Sequence, residues 1–167
     1  MPYRFGHQQK AEEDDKMTEN RAKNKQKAAE IGQTCICFNL RKAMRLLTAH
    51  YDQIMKPTGL KITQFSLLMA LLYQDAISVS QLANNLGMDR TTLSRNVRLL
   101  EQKDLIAVFT GADRREQCLV LTDKGKETIE LAIPFWEQAQ AEVITRFGEE
   151  WVQVFLSNLK QFNSLNM

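Results

Sequence analysis

Thr91, Arg95 and Arg98 stand four and three residues apart, a spacing that places them on one face of a helix. That stripe suits the reading of bases. An arginine can fork onto the N7 and O6 acceptors of guanine, each good bidentate pair contributing roughly 1–3 kcal/mol of discrimination. Thr91 and Thr92 offer hydroxyls or methyls, and Arg90 and Ser94 belong to the same candidate surface. Ser80 and Gln81 open the preceding segment, where the free backbone donors of a helix start favour a phosphate. A second cationic feature is Asp113-Arg114-Arg115: Arg114 can enter a minor groove, and Arg115 can hold a phosphate or brace its loop. The third is Cys35-Ile36-Cys37-Phe38. A helix start favours thiolate over thiol, the form that meets oxidants, although free cysteines also serve as small buried hydrophobes.

The elements that must position these residues follow from periodicity and punctuation. Ile36, Leu40, Ala43, Leu47, Tyr51 and Ile54 form one apolar stripe from about Thr34, and this helix ends at Lys56-Pro57-Thr58-Gly59. Thr63 is the expected cap of a second helix carrying Phe65, Leu68, Met69 and Leu72, closed by Gln74-Asp75-Ala76. Ser78 with Gln81 is a capping-box pattern opening a short helix that Gly87 stops. Asp89 caps the next, whose inner stripe is Leu93, Val97 and Leu100. Two short helices about a glycine turn make a helix-turn-helix. Leu105–Phe109 and Gln117–Leu121 are β-prone runs about a charged tip, a hairpin. Thr122 caps a long helix running to about Phe147 with Pro134 inside it, and after Gly148 a last amphipathic helix holds Trp151, Val154, Phe155, Leu159 and Phe162.

The fold expected is mainly α with a small β-hairpin wing. Residues 61–122 form the winged helix-turn-helix, 31–60 and 123–167 a helical dimerisation region, and 1–30 a polar flexible tail or frayed helical lead-in with almost nothing to bury. At 167 residues and 44% hydrophobic content the chain can build a core. Its net charge of +2 gives no broad electrostatic field, so a nucleic-acid partner rests on where the arginines sit. No apolar run approaches a bilayer span and the start lacks a signal-peptide core, which points to a cytoplasmic protein without a membrane partner. Three cysteines without an export signal point to reduced thiols.

From Ser78 to Gly125 the chain resembles the MarR family of transcription regulators: VSQLANNLGMDRTTLSRNVRLLEQKDLI, then Asp113-Arg114-Arg115, then LTDKG. With the flanking helices the resemblance spans about residues 34–165. It implies a homodimer whose first and last helices intertwine, two winged lobes on a palindromic double-stranded operator, and a repressor released by a signal. It further implies that Asp113 holds the wing arginines. The segment CFNLRKAMRLLTAHYDQIM is similar to the peroxide-sensing branch of the family, with Cys37 at the position that is oxidised and Tyr51 where a phenol lies near it. Arg41 and Ile62 stand where that branch carries further tyrosines. A small aromatic effector, held among Phe135, Trp136, Trp151, Phe155 and Phe162, is the other signal the family suggests, though such spacing also reads as plain core.

Other classes find less support. There is no glycine-rich phosphate loop, nucleophile elbow or paired-carboxylate site, so neither catalytic residues nor a cofactor are expected. Two histidines, His7 and His50, do not make a metal site, and His50 reads as a helix-surface or dimer-interface residue. The rival is a winged helix that binds protein without DNA. The steep salt dependence that phosphate contacts impose separates the two.

Overall fold

The computed structural model describes residues 5–74, 76–111 and 117–165. Helix α1 spans Phe5–Thr34 and α2 spans Ile36–Met55. Within the segment 1–30 expected as a tail or a frayed helical lead-in, the described residues from Phe5 on are helical, and from Asp15 to Ile31 every side chain is exposed. A helix that is polar all round leaves no apolar stripe to find in the sequence. The chain divides at Leu47/Thr48 into two compact units. In the first, α1 and α2 meet at Cys35, and the Asn39 amide ties the junction by donating to the Gly32 and Cys35 carbonyls at 3.1 and 3.0 Å.

The second unit holds the remaining elements. A 3-10 turn at Lys56–Thr58 ends α2, and Gly59 follows at φ 71°, in the left-handed region. Helix α3 is Ile62–Gln74. Its start is held by Asp52, whose carboxylate accepts from the Ile62 N–H at 2.8 Å, and by Gln64, whose side chain accepts from the Lys61 N–H. The expected Thr63 cap is thus replaced by a carboxylate ten residues upstream, which no local pattern announces. Strand β1 is Ala76–Ser78, α4 Val79–Asn85, α5 Arg90–Gln102, β2 Ile106–Thr110 and β3 Gln117–Leu121. Helix α6 is Asp123–Phe147 and α7 Glu149–Gln161.

The wing is a three-stranded antiparallel sheet in the order β1-β3-β2. Ile77, Leu119 and Val108 pair across it on the core side. One core gathers Met55, Phe65, Leu68, Leu71, Leu82, Leu93, Leu100, Leu119 and Ile129, with Val97 and Ile106 among its other members. Helices α3 to α6 and the sheet therefore share one packed core.

Capping fixes where the functional helices begin. Ser78 and Gln81 form the complete capping box on α4. Asp89 caps α5, accepting from the Thr92 N–H at 2.8 Å and from the Thr92 hydroxyl at 2.6 Å. These two bonds, the hydroxyl first, hold the Asp89 carboxyl below the usual aspartate range.

A latch joins α5, β2 and α6. Asp104, at φ 60°, ends the turn after α5, and the Leu105 N–H returns to the Leu100 carbonyl at 3.0 Å. The Thr122 hydroxyl caps Gly125 N–H at 2.9 Å and donates to the Asp104 carbonyl at 2.8 Å. Gly125 is buried so closely against the Leu105 carbonyl that any Cβ would overlap it.

Two outcomes follow. Gly125→Ala forces backbone apart in a packed core, and a urea titration should show about 1–3 kcal/mol of lost stability. For Asp89, a lowered carboxyl pKa means that the cap contributes fully above the unfolded value of about 3.9 and is lost as pH falls through the folded value beneath it. The gap in Tm between wild type and Asp89→Ala should be constant from pH 7 to 5 and close below about pH 4. A gap that widens in acid contradicts the cap.

Candidate nucleic-acid interface

The rotation of α5 about its axis decides what it can touch. Leu93, Val97 and Leu100 are sealed in the core, so the opposite face carries Thr91, Ser94, Arg95 and Arg98, all exposed. The sequence-derived stripe is assembled as expected on one continuous surface.

Other candidate residues prove to be occupied in holding that surface. The Thr92 hydroxyl donates to Asp89, and the Thr92 carbonyl accepts from the Asn96 amide at 3.0 Å. Its hydroxyl is therefore engaged in the helix cap, on a side chain that is exposed. The Arg90 guanidinium donates to the Ser80 hydroxyl, tying the start of α5 to the start of α4. Gln81 was expected to offer a free backbone donor. That N–H goes to the Ser78 hydroxyl at 3.2 Å, while the Gln81 side chain accepts back from Ser78. The capping box is plain in the sequence, and its consequence is that the Ser78 and Gln81 N–H groups are engaged within the box.

Strands β2 and β3 lead to the wing tip, and Asp113, Arg114 and Arg115 lie outside the described residues. Cys118 is half-buried on β3, paired with Phe109 and Ser78 across the sheet. At the other cysteines, Cys37 is exposed, and it is Cys35 whose Sγ accepts from the start of α2, from the Phe38 N–H at 3.5 Å.

Between α2 and α6, the Tyr51 hydroxyl donates to Gln140 Oε1 at 2.5 Å, and burial raises the phenol above its ordinary pKa, keeping it the donor. His50 Nε2 stands 3.4 Å from Glu142 Oε2. Trp136 stacks on Phe65, with ring centroids 6.5 Å apart, and Trp151 stacks between Phe147 and Phe155 at 4.9 and 5.0 Å. The aromatic residues are thus partly engaged with one another, as core and as a helical ladder. Among the described residues no cluster of three or more His, Cys, Asp or Glu is placed to hold a metal ion, and no helix is long and apolar enough to cross a membrane.

The sequence profile of the MarR family matches residues 58–116. The chain is 33% identical over 96 residues to the HTH-type transcriptional regulator MgrA of Staphylococcus aureus, a match covering 56% of this chain and 65% of that protein's length. Among solved structures it is similar to the M. tuberculosis transcriptional regulator MosR in complex with DNA, at 35% identity and a TM-score of 0.70, covering 80% of this chain and 99% of that one. A mutant E. coli MarR complexed with operator DNA shares the fold at 16% identity and a TM-score of 0.71, covering 78% and 96%. With its winged helix-turn-helix, its helical flanks and a 35% identical relative matched over nearly its whole length, this chain belongs to the MarR family.

Proposed function

We propose that this protein is a homodimeric transcription regulator that reads a palindromic double-stranded DNA site. The observation that carries this reading is the rotation of α5: its apolar side is locked in the core while Arg95 and Arg98, with Thr91 and Ser94, face outward. Such a face fits a major groove, with Arg95 forking onto guanine and its neighbours placed for flanking bases or phosphates. Arg114 and Arg115 supply the wing contact, Arg114 in the minor groove and Arg115 on phosphate. The DNA held by MosR supports the same reading.

The second copy is supported by apolar surface on α6 and α7. Leu131 is 71% exposed and Val154 55%, with Trp151 and Leu156 about half exposed. An apolar surface of that kind is what an association interface covers. A two-fold dimer sets two half-sites roughly 34–36 Å apart, about one helical turn.

Selection of bound fragments from genomic DNA should enrich an inverted repeat. Arg95→Ala should then flatten base preference at one position per half-site, a loss of about 10- to 100-fold in discrimination, whereas Arg114→Ala should weaken all sequences alike and reduce the salt slope. Absence of any enriched sequence, with binding indifferent to salt, would overturn the reading. Light scattering should give a particle of twice the 19.2 kDa chain, and the pair Leu131→Glu and Val154→Glu should reduce it to a monomer with unchanged helicity. A wild-type monomer would remove the dimer.

A further inference from the structure

Along the sequence, the densest run of cations lies outside residues 61–122. Residues 61–122 hold seven Lys and Arg against six Asp and Glu. Residues 20–47 hold seven as well, Arg21, Lys23, Lys25 and Lys27 on α1 and Arg41, Lys42 and Arg45 on α2, with Glu30 the one carboxylate inside the stretch; the acidic residues of α1, Glu12, Glu13, Asp14, Asp15 and Glu19, precede it and make that helix polar in charge along its length. The stretch is thus +6 in a chain of net charge +2, and all seven side chains are exposed. From the geometry we infer that it is a second, sequence-independent DNA-binding surface that holds phosphates in addition to the base-reading face of α5. The inference rests on the DNA-binding reading above and extends it to a different part of the chain.

Three observations support it. Like charges recur at i and i+4 in the pairs Arg21/Lys25, Lys23/Lys27 and Arg41/Arg45, an arrangement that destabilises a free helix and that a polyanion relieves. The ion pairs that do form, Lys23 with Glu19 at 2.7 Å and Lys27 with Glu30 at 2.9 Å, are exposed on both sides. Such pairs are weak and easily exchanged for phosphate. Third, the junction between the two basic helices is tied, because Asn39 on α2 donates to the Gly32 carbonyl on α1 and to the Cys35 carbonyl at the break, and the Phe38 N–H meets Cys35 Sγ. The two clusters are therefore presented from one connected helical frame. Arg41, Lys42 and Arg45 also occupy a side of α2 separate from its apolar stripe of Leu40, Ala43 and Leu47, and all three are exposed.

The test is a fluorescence anisotropy titration on a random-sequence 60-bp duplex at several salt concentrations. Three full-length proteins are compared: wild type, a variant with Arg21, Lys23, Lys25 and Lys27 each changed to Gln, and Arg95→Ala. Circular dichroism of each checks that helicity is kept. The quadruple variant should bind at least tenfold more weakly at low salt, with a log–log salt slope shallower by about 2–4, near 0.9 for each phosphate no longer neutralised. Arg95→Ala should keep most of the wild-type slope. A quadruple variant with the wild-type slope overturns this inference alone and leaves the basic helices to an acidic protein partner. A wild type that binds neither this duplex nor any selected sequence overturns the DNA-binding reading together with it.

Discussion

The burial of Leu93, Val97 and Leu100 is the constraint on which the rest of this molecule depends. A helix turns about 100° per residue, so once three side chains on one face are committed to a core, every other position on it has a fixed bearing. The facing surface on α3, α4 and the sheet accepts those three because Leu68, Leu82 and Leu119 fill the same interior. A rotation of α5 by even one residue would bury Ser94 or Arg98 and expose leucine. The direction of Arg95 is thus set by apolar packing, with no polar contact required to aim it.

Polar groups around that helix fall into two sets by what they touch. Ser78 with Gln81, Asp89 with Thr92, and Arg90 with Ser80 satisfy one another and fix the ends of α4 and α5. Thr91, Ser94, Arg95 and Arg98 stay exposed. Part of the division has a physical reason: helix starts carry orphan N–H groups that Ser78 and Asp89 satisfy locally, whereas Ser94, Arg95 and Arg98 lie past the first turn of α5, where the backbone makes no such demand. Arg90 and Thr92 flank Thr91 in sequence and also bond within the frame, to Ser80 and Asp89, while their side chains remain exposed.

Much of this is legible in the sequence because the signals are local. The Ser78–Gln81 box, the Asp89 and Thr122 caps, the inner stripe of α5 and the glycine stops at Gly59, Gly87 and Gly148 each depend on residues within a few positions. What is not legible depends on partners far along the chain. Ala76–Ser78 is a strand because β3 pairs with it, and three residues have no period of their own. Asp52 holds the start of α3 across ten residues. Periodicity places Thr92 and Gln81 correctly on their helices but leaves them looking free, since composition does not reveal that a cap has occupied a donor. The helical state of Phe5–Thr34 is hidden for the opposite reason: an all-polar helix offers no amphipathic contrast against which to see it.

Charge distribution separates two kinds of affinity. A lobe with seven cations and six anions attracts DNA weakly at long range, so its affinity must come from short-range contacts made after docking. That is a good property for reading sequence, because a strong uniform field binds right and wrong sites alike. The basic segment 20–47 has the charge for the complementary term, which on the proposed reading is long-range, insensitive to sequence and steeply dependent on salt. Placing the two terms on different helices lets each vary without the other. On that reading, a change on α5 would act on which site is preferred, and a change on α1 on how firmly any duplex is held. Had the same seven cations been grafted onto α5, the exposed face would have lost the small polar side chains, Thr91 and Ser94, that a groove floor can distinguish.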